Sequence, residues 1–253
     1  MSLRKLPAPL DNFGINPTVA AYNEIKRRIV ELDFAVGEKL SEARLVSELG
    51  LGRSPIRTAL ARLQAEGWIS VSPQSGTYVK ALTQGDIDEL TELRTLLEMH
   101  ATAAAAMRIS DAEIDRLTRA FAALGPGIEA GDAEAFIALD TDVHGVIYAA
   151  AGNEMIAGIL LDLRDKVEWI RRACSGSLQR VQDGYHELVA VFDELAARRP
   201  EPAAEAMRAH IQSAAAYCRT AGPLGEIGGR ADDEGLEFLK SSQPGPGRSF
   251  HDS

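Results

Sequence analysis

Apolar positions recur at helical spacing along most of the chain. Tyr22, Ile25, Ile29 and Leu32 mark one side of an amphipathic helix over Thr18–Leu32. Gly37 then turns the chain. Ser41 is placed to cap a second helix running to about Leu49, with Leu45, Val46 and Leu49 as its apolar contacts. Gly50 ends that helix as a left-handed C-cap residue does. A third helix follows. Ser54 is placed to cap it, Pro55 fits its first position, and Ile56, Leu60 and Leu63 form its buried stripe. Two short helices joined by a tight glycine turn make a helix-turn-helix. The period then shortens: Trp68–Ser72 and Thr77–Lys80 are β-prone and flank Pro73-Gln74-Ser75-Gly76. That is a hairpin signal, and it predicts a winged helix.

No strand pattern appears beyond residue 80. A short linker with Gly85 spans 81–86. Ile87–Ile109 is a helix with Leu90, Leu93, Leu97 and Ala101 in period. Asp111 is expected to cap the next, which reaches about Leu124, where Gly125-Pro126-Gly127 interrupts or ends it. Asp132–Ala151 and Glu154–Ala173 follow, separated by Gly152-Asn153. A fifth helix opens at Ser177 or Asp183 and runs to about Arg198. The last follows the turn Arg199-Pro200-Glu201-Pro202, with Pro202 in its first turn, and ends near Thr220. Six helices without a sheet predict an α-bundle. The fold class is therefore mainly α: an N-terminal arm (1–16), a winged helix-turn-helix (17–80), the linker (81–86) and an all-α domain (87–221). Residues 222–253, rich in Gly and Pro, lack a sustained apolar face and read as a flexible tail.

Charge changes the picture through its distribution. The 253-residue chain carries a formal charge of −10, which looks hostile to DNA. Residues 1–80, however, hold 11 Lys+Arg against 8 Asp+Glu, so the acidic excess lies in the second domain. Arg53, Arg57 and Arg62 stand before, in the first turn of and further along the third helix. Arginines there suit phosphate contacts and the guanine edge; a merely solvated basic face is the alternative. No apolar run approaches a membrane span and no signal peptide is evident, so a cytoplasmic protein with no membrane partner is expected. Cys174 and Cys218, the two cysteines, fit that reduced setting and are expected to be separate buried thiols.

Histidine carries the candidate chemistry of the second domain. Asp140 and His144, four residues apart, project from one helix face. His186 lies near the start of the fifth helix and His210 within the last. One carboxylate and three imidazoles suit Zn²⁺, Ni²⁺ or another first-row metal with an exchangeable position. Taken singly, each histidine is as well explained by a hydrogen bond or a surface position.

Residues 18–80 resemble the DNA-binding domain of GntR-type bacterial transcription regulators. The resemblance rests on Val36-Gly37-Glu38-Lys39-Leu40-Ser41-Glu42, on the segment Leu49-Gly50-Leu51-Gly52-Arg53-Ser54-Pro55-Ile56-Arg57-Thr58-Ala59-Leu60, on Glu66-Gly67-Trp68 and on wing Gly76. It implies that Arg53 and Arg57 touch bases or nearby phosphates and that Gly76 enters the minor groove. Ser54, Thr58, Arg62 and Arg44 complete the expected DNA-facing set. Two positions depart from the family pattern, Ala43 where Arg is common and Gly52 where Ser or Thr is usual; both bear on the operator sequence.

Residues 87–220 resemble the FadR C-terminal domain, in its metal-binding branch. The motif is Asp140-x-x-x-His144 followed by Ala149-Ala150-Ala151-Gly152-Asn153, with His186 and His210 matching the two later histidines. The resemblance implies that a divalent metal at Asp140, His144, His186 and His210 helps hold a small organic acid. Arg94 matches a family arginine facing that pocket, and Asn153 is a further candidate contact; a salt bridge from Arg94 to Glu98 and a helix cap at Asn153 are the rival readings. The expected protein is a homodimeric repressor of a double-stranded DNA operator, controlled by a small carboxylate, and not an enzyme. A regulator answering to metal alone is one alternative. A metalloenzyme fused to a DNA-binding domain is the other; only Asp142 and Glu187 are candidate bases, by adjacency.

Overall fold

The computed structural model of the protein describes residues 16–73, 75–174 and 177–220. The expected arm, apart from Asn16, the expected tail and the wing-turn residue Gln74 lie outside the described residues.

Three helices and three strands build the N-terminal domain: α1 (Pro17–Val30), β1 (Lys39–Leu40), α2 (Glu42–Leu49), α3 (Arg53–Ala65), β2 (Ile69–Ser72) and β3 (Gly76–Val79). Asn16 caps α1 and Pro17 opens it, where a missing donor costs nothing. Ser41 caps α2, and Gly50 closes it at φ +65°. The helix-turn-helix is therefore in place. The capping of α3 differs from expectation. Gly52 is its N-cap, without a side-chain bond, and Ser54 lies within the first turn on the exposed face. The tight turn brings the backbone into the helix two residues earlier than Ser54 would allow. The hairpin is as expected: β2 and β3 pair antiparallel with Ile69 opposite Val79 and Ser72 opposite Gly76. β1, which no local pattern announces, adds to the other edge of β3 with Lys39 opposite Tyr78. Two residues are too few to show a period.

Among the described residues the second domain holds six helices: α4 (Gln84–Arg108), α5 (Asp111–Glu129), α6 (Ala133–Ala150), α7 (Glu154–Cys174), α8 (Leu178–Ala196) and α9 (Pro200–Thr220). α4 and α9 lie along each other, and both carry buried alanines, at 101, 104 and 105 and at 203 and 215. The linker is shorter than expected. Thr83 and Asp86 form a reciprocal capping box, so α4 begins at Gln84. Ser110, not Asp111, caps α5, and α9 begins at Pro200, which puts Pro202 in its first turn as expected. Gly125-Pro126-Gly127 does not stop α5, which continues to Glu129. Gly125 is there for packing: a Cβ at that position would overlap the Tyr185 hydroxyl.

Two apolar cores result. One fills the bundle around Leu117, Leu139, Ile147, Leu188 and Met207. The other begins inside the winged helix, at Ile25, Ile29, Leu45, Ile56 and Leu63, and continues into Ile87, Trp169, Cys174, Ala215 and Cys218 of the bundle. The winged helix thus meets the bundle through α7, in a core that also takes in the start of α4 and the end of α9. Trp68 packs on Trp169 with ring centroids 5.6 Å apart. Lys26 reaches Asp165 at 2.6 Å and lies 4.9 Å above the Trp68 ring. Cys174 and Cys218 are not separate thiols: they form a disulfide, with Cα atoms 5.5 Å apart. They lie 44 residues apart in sequence, a proximity that no local pattern reveals.

Candidate functional site

The buried stripe of α3 sets what the helix shows to solvent. Ile56, Ala59, Leu60 and Leu63 face inward, leaving Arg53, Ser54, Arg57, Thr58 and Arg62 exposed. Arg57 pairs with Glu42 of α2 at 2.9 Å, with both side chains largely in water, so a DNA phosphate can take over that arginine cheaply. Arg62 and Arg44 are differently engaged. Arg62 binds Glu66 at 2.9 Å and stacks 3.9 Å over the Tyr22 ring. Arg44 binds Glu38 and Glu48, each at 2.7 Å, and lies over Phe34. Both side chains stay about half exposed all the same. Gly76 opens β3 at φ +119°, a conformation open to glycine alone without strain.

The second candidate site lies in the bundle. Asp140 and His144 on α6 and His210 on α9 bring one ligand atom each to within 4.8 Å of one another, and all three are buried. His186 does not join them. It is 64% exposed on α8 and faces Glu129 at 3.3 Å. The next residue, Glu187, points inward instead, and its carboxylate takes a hydrogen bond from His210 Nδ1 at 3.1 Å. One residue along a helix is a rotation of about 100°, so the two side chains cannot share a face.

The surrounding charges are paired in layers. Glu98 Oε2 stands 2.6 Å from His144 Nδ1, and Arg94 binds Glu98 at 2.6 Å. Arg180 binds Glu187 at 3.0 Å, and Arg171 pairs with Asp140. Burial raises the Glu98 carboxyl, but Arg94 and His144 outweigh it and hold it at about 2. Glu187 is likewise held at about 2, by bonds from His210, Arg180 and Ser213 against its burial. Asp140 is lowered further still, because Arg171 and both imidazoles overcome its desolvation. Burial lowers the His210 pKa, yet its bonds to Asp140 and Glu187 win and raise it.

These residues fit a divalent metal. A carboxylate faces Nδ1 of each imidazole, so with a metal bound the ring proton would sit there and each Nε2 would offer its lone pair on the side of Asp140. His144 Nε2 is buried and makes no hydrogen bond among the described residues, while the buried Asp140 carboxylate is paired with Arg171 and lies 3.0 Å from His210 Nε2. A buried polar atom left as His144 Nε2 is left is costly unless a further partner is bound. Two cavities of about 60 Å³ each flank the cluster. Arg94 and Arg171 line both. Arg171 and Arg180 had no signal in the sequence; only the packing of α7 and α8 turns them inward. Asn153 lines neither cavity. Its Oδ1 accepts from Ile156 N at 3.1 Å, so it caps α7.

A winged helix with a basic exposed helix, seated on a helical bundle, defines a DNA-binding transcription regulator. Residues 17–79 match the family model of the bacterial regulatory proteins of the gntR family, and residues 89–213 match that of the FCD domain. The chain belongs to the GntR family and carries an FCD domain. It is 33% identical over 137 residues to an uncharacterized HTH-type transcriptional regulator of the ttuE-ttuC' intergenic region of Agrobacterium vitis, covering 53% of this chain and 80% of that protein. The repressor NanR of Cronobacter sakazakii is 27% identical over 75% of this chain and 80% of its own length. YdhC of Bacillus subtilis, an uncharacterized HTH-type transcriptional regulator, is 25% identical over 80% and 92%. Among solved structures, E. coli McbR/YncC shares the fold with a TM-score of 0.68 at 20% identity, over 82% of this chain and 99% of that one. Among the described residues, no helix is long and apolar enough to cross a membrane.

Proposed function

We propose that the protein is a repressor whose hold on its operator is set by a small carboxylate bound beside a divalent metal at Asp140, His144 and His210. The observation that carries this reading is the buried cluster of Asp140, His144 and His210, with one ligand atom each within 4.8 Å of one another, His144 Nε2 without a hydrogen bond, and cavities beside it that Arg94 and Arg171 line. Zn²⁺ or Ni²⁺ suits two imidazoles and one carboxylate, and three protein ligands leave room for an exchangeable one. A metal there would supply a Lewis acid for one carboxylate oxygen of the effector. The arginines would orient the remainder by charge-assisted hydrogen bonds. That NanR of Cronobacter sakazakii is a repressor supports the sign of regulation.

On the DNA side, Arg53, Ser54, Arg57 and Thr58 would meet the major groove and Gly76 the minor groove. A homodimer would place two such helices on a roughly palindromic operator. Large apolar side chains that face water on α4 (Leu93, Leu96) and α7 (Met155, Ile159, Leu161) support a second copy as the partner.

The test is a thermal-melt panel of chelated and Zn²⁺- or Ni²⁺-loaded protein against small carboxylates, followed by operator titration. A shift from one acid that needs the metal, with a 5- to 150-fold change in operator affinity (roughly 1–3 kcal/mol of coupling), supports the reading. A shift from metal alone makes the protein a metal sensor or the metal structural.

A further inference from the structure

The metal-and-effector reading leaves the two cysteines unused. Cys174 is the last residue of α7, and Cys218 lies two residues before the end of α9. They are the chain's only cysteines, and they are bonded to each other. Both belong to the apolar core that holds the winged helix on the bundle. Both also line the cavity beside Asp140 and His210. The bond therefore ties the end of α7, on which the DNA-binding domain sits, to the end of α9.

A protein that binds genomic DNA works among reduced thiols, where a disulfide is usually transient and redox-sensing. The fold has two apolar cores without it, so a permanent staple is not needed. Both cysteines are buried, at 5% and 4% exposure, so an oxidant would have to be small and enter through the cavity that both line.

We propose that Cys174 and Cys218 form a reversible redox-modification site, closed by an oxidant of the hydrogen peroxide class and reopened by a thiol reductant. When closed, the bond locks the α7 and α9 ends and with them the seat of the winged helix. The chemistry balances. One thiolate attacks a peroxide oxygen, the O–O bond breaks, and a sulfenic acid and water result. The second thiol attacks the sulfenic sulfur, the S–S bond forms, the S–O bond breaks, and a second water leaves. Two thiols have then lost two electrons and two protons, and one peroxide has become two waters. A thiol reductant reverses the state by exchange through a mixed disulfide.

α7 carries the change to the DNA-binding domain. Trp169, five residues before Cys174, packs on Trp68, and Asp165 on the same helix holds Lys26. These tryptophans are the only two in the chain, so intrinsic fluorescence reads this seam.

The experiment uses the full chain. It is equilibrated in a glutathione buffer at the ratio of a reducing cytosol, freed of glutathione by desalting, and then treated with stoichiometric hydrogen peroxide. Thiols are counted by alkylation and mass, the bridge is mapped by peptides, and melting and tryptophan emission are followed in both states. The expected result is two thiols in glutathione and none after peroxide, with one intrachain bridge. The closed form should melt about 5–15 °C higher and differ in emission. Cys174→Ala should abolish both responses to peroxide, and Trp68→Phe should keep an emission response from Trp169. A bridge that survives glutathione would make the bond a permanent staple and overturn the proposal. Thiols that persist in excess peroxide would overturn it too, as would two states with the same melting point and emission.

Discussion

Replacing Asp140 by Asn removes the one charge on which the bundle's polar centre converges while leaving its volume unchanged. Asp140 is fully buried, pairs with Arg171 and lies 3.0 Å from His210 Nε2. Without it, Arg171 loses that counter-charge, and the raised proton affinity of His210 loses one of its two causes. Taking one partner from a buried charge pair costs about 3–5 kcal/mol. At about 2–4 °C per kcal/mol for a chain of this size, the variant should melt about 6–20 °C below the wild type in chelator. The second half of the reasoning concerns metal. An ion at a hundred times its dissociation constant stabilises the native state by about 2.7 kcal/mol, so Zn²⁺ should raise the wild-type melting point by about 5–11 °C. Asp140→Asn should lose most of that shift. Differential scanning fluorimetry with chelator and with Zn²⁺ reads both effects. A variant as stable as the wild type in chelator would refute the claim that the paired network is favourable without metal. A variant that keeps the full Zn²⁺ shift would place the ion elsewhere.

Arg57→Ala should weaken operator binding at least tenfold by gel shift and leave the melting point nearly unchanged, because its exposed pair with Glu42 is worth less than about 1 kcal/mol; unaltered affinity would sink the recognition-helix assignment. Gly76→Ala should cost about 1–3 kcal/mol, because alanine is strained at φ +119°, and should lower operator affinity with it; a melt equal to wild type would show that the wing backbone adapts. In chelated protein, the depressed Glu98 and Glu187 contribute stability that is complete above their ordinary value of 4.5 and lost as pH falls toward about 2. The raised His210 contributes stability that is complete below its ordinary value of 6.5 and lost as pH rises through its folded value. Denaturant midpoints across pH should therefore peak between about 4.5 and 6.5 and fall on both sides; a midpoint that is flat from pH 3 to pH 8 would contradict the charge network.

What the chain determines locally it shows plainly. Period 3.6 and period 2 are properties of consecutive residues, so the six bundle helices, the α2 turn at Gly50 and the β2–β3 hairpin are legible from Tyr22 to Thr220. So is the pairing of Asp140 with His144, because four residues along a helix share a face. The partner of that pair on another helix depends on how α8 and α9 rotate against α6. His186 and Glu187 are neighbours in sequence and equally suited to a polar centre; tertiary packing turns Glu187 inward and leaves His186 in solvent. For Arg62 and Arg44 it is folding that brings Tyr22, Phe34 and acidic side chains beside them, while both stay about half exposed. Arg171, Arg180 and the Cys174–Cys218 bond carry no local signal at all. Each depends on two helices meeting at one point, and contacts of that kind exist only once α6–α9 have packed around their common core.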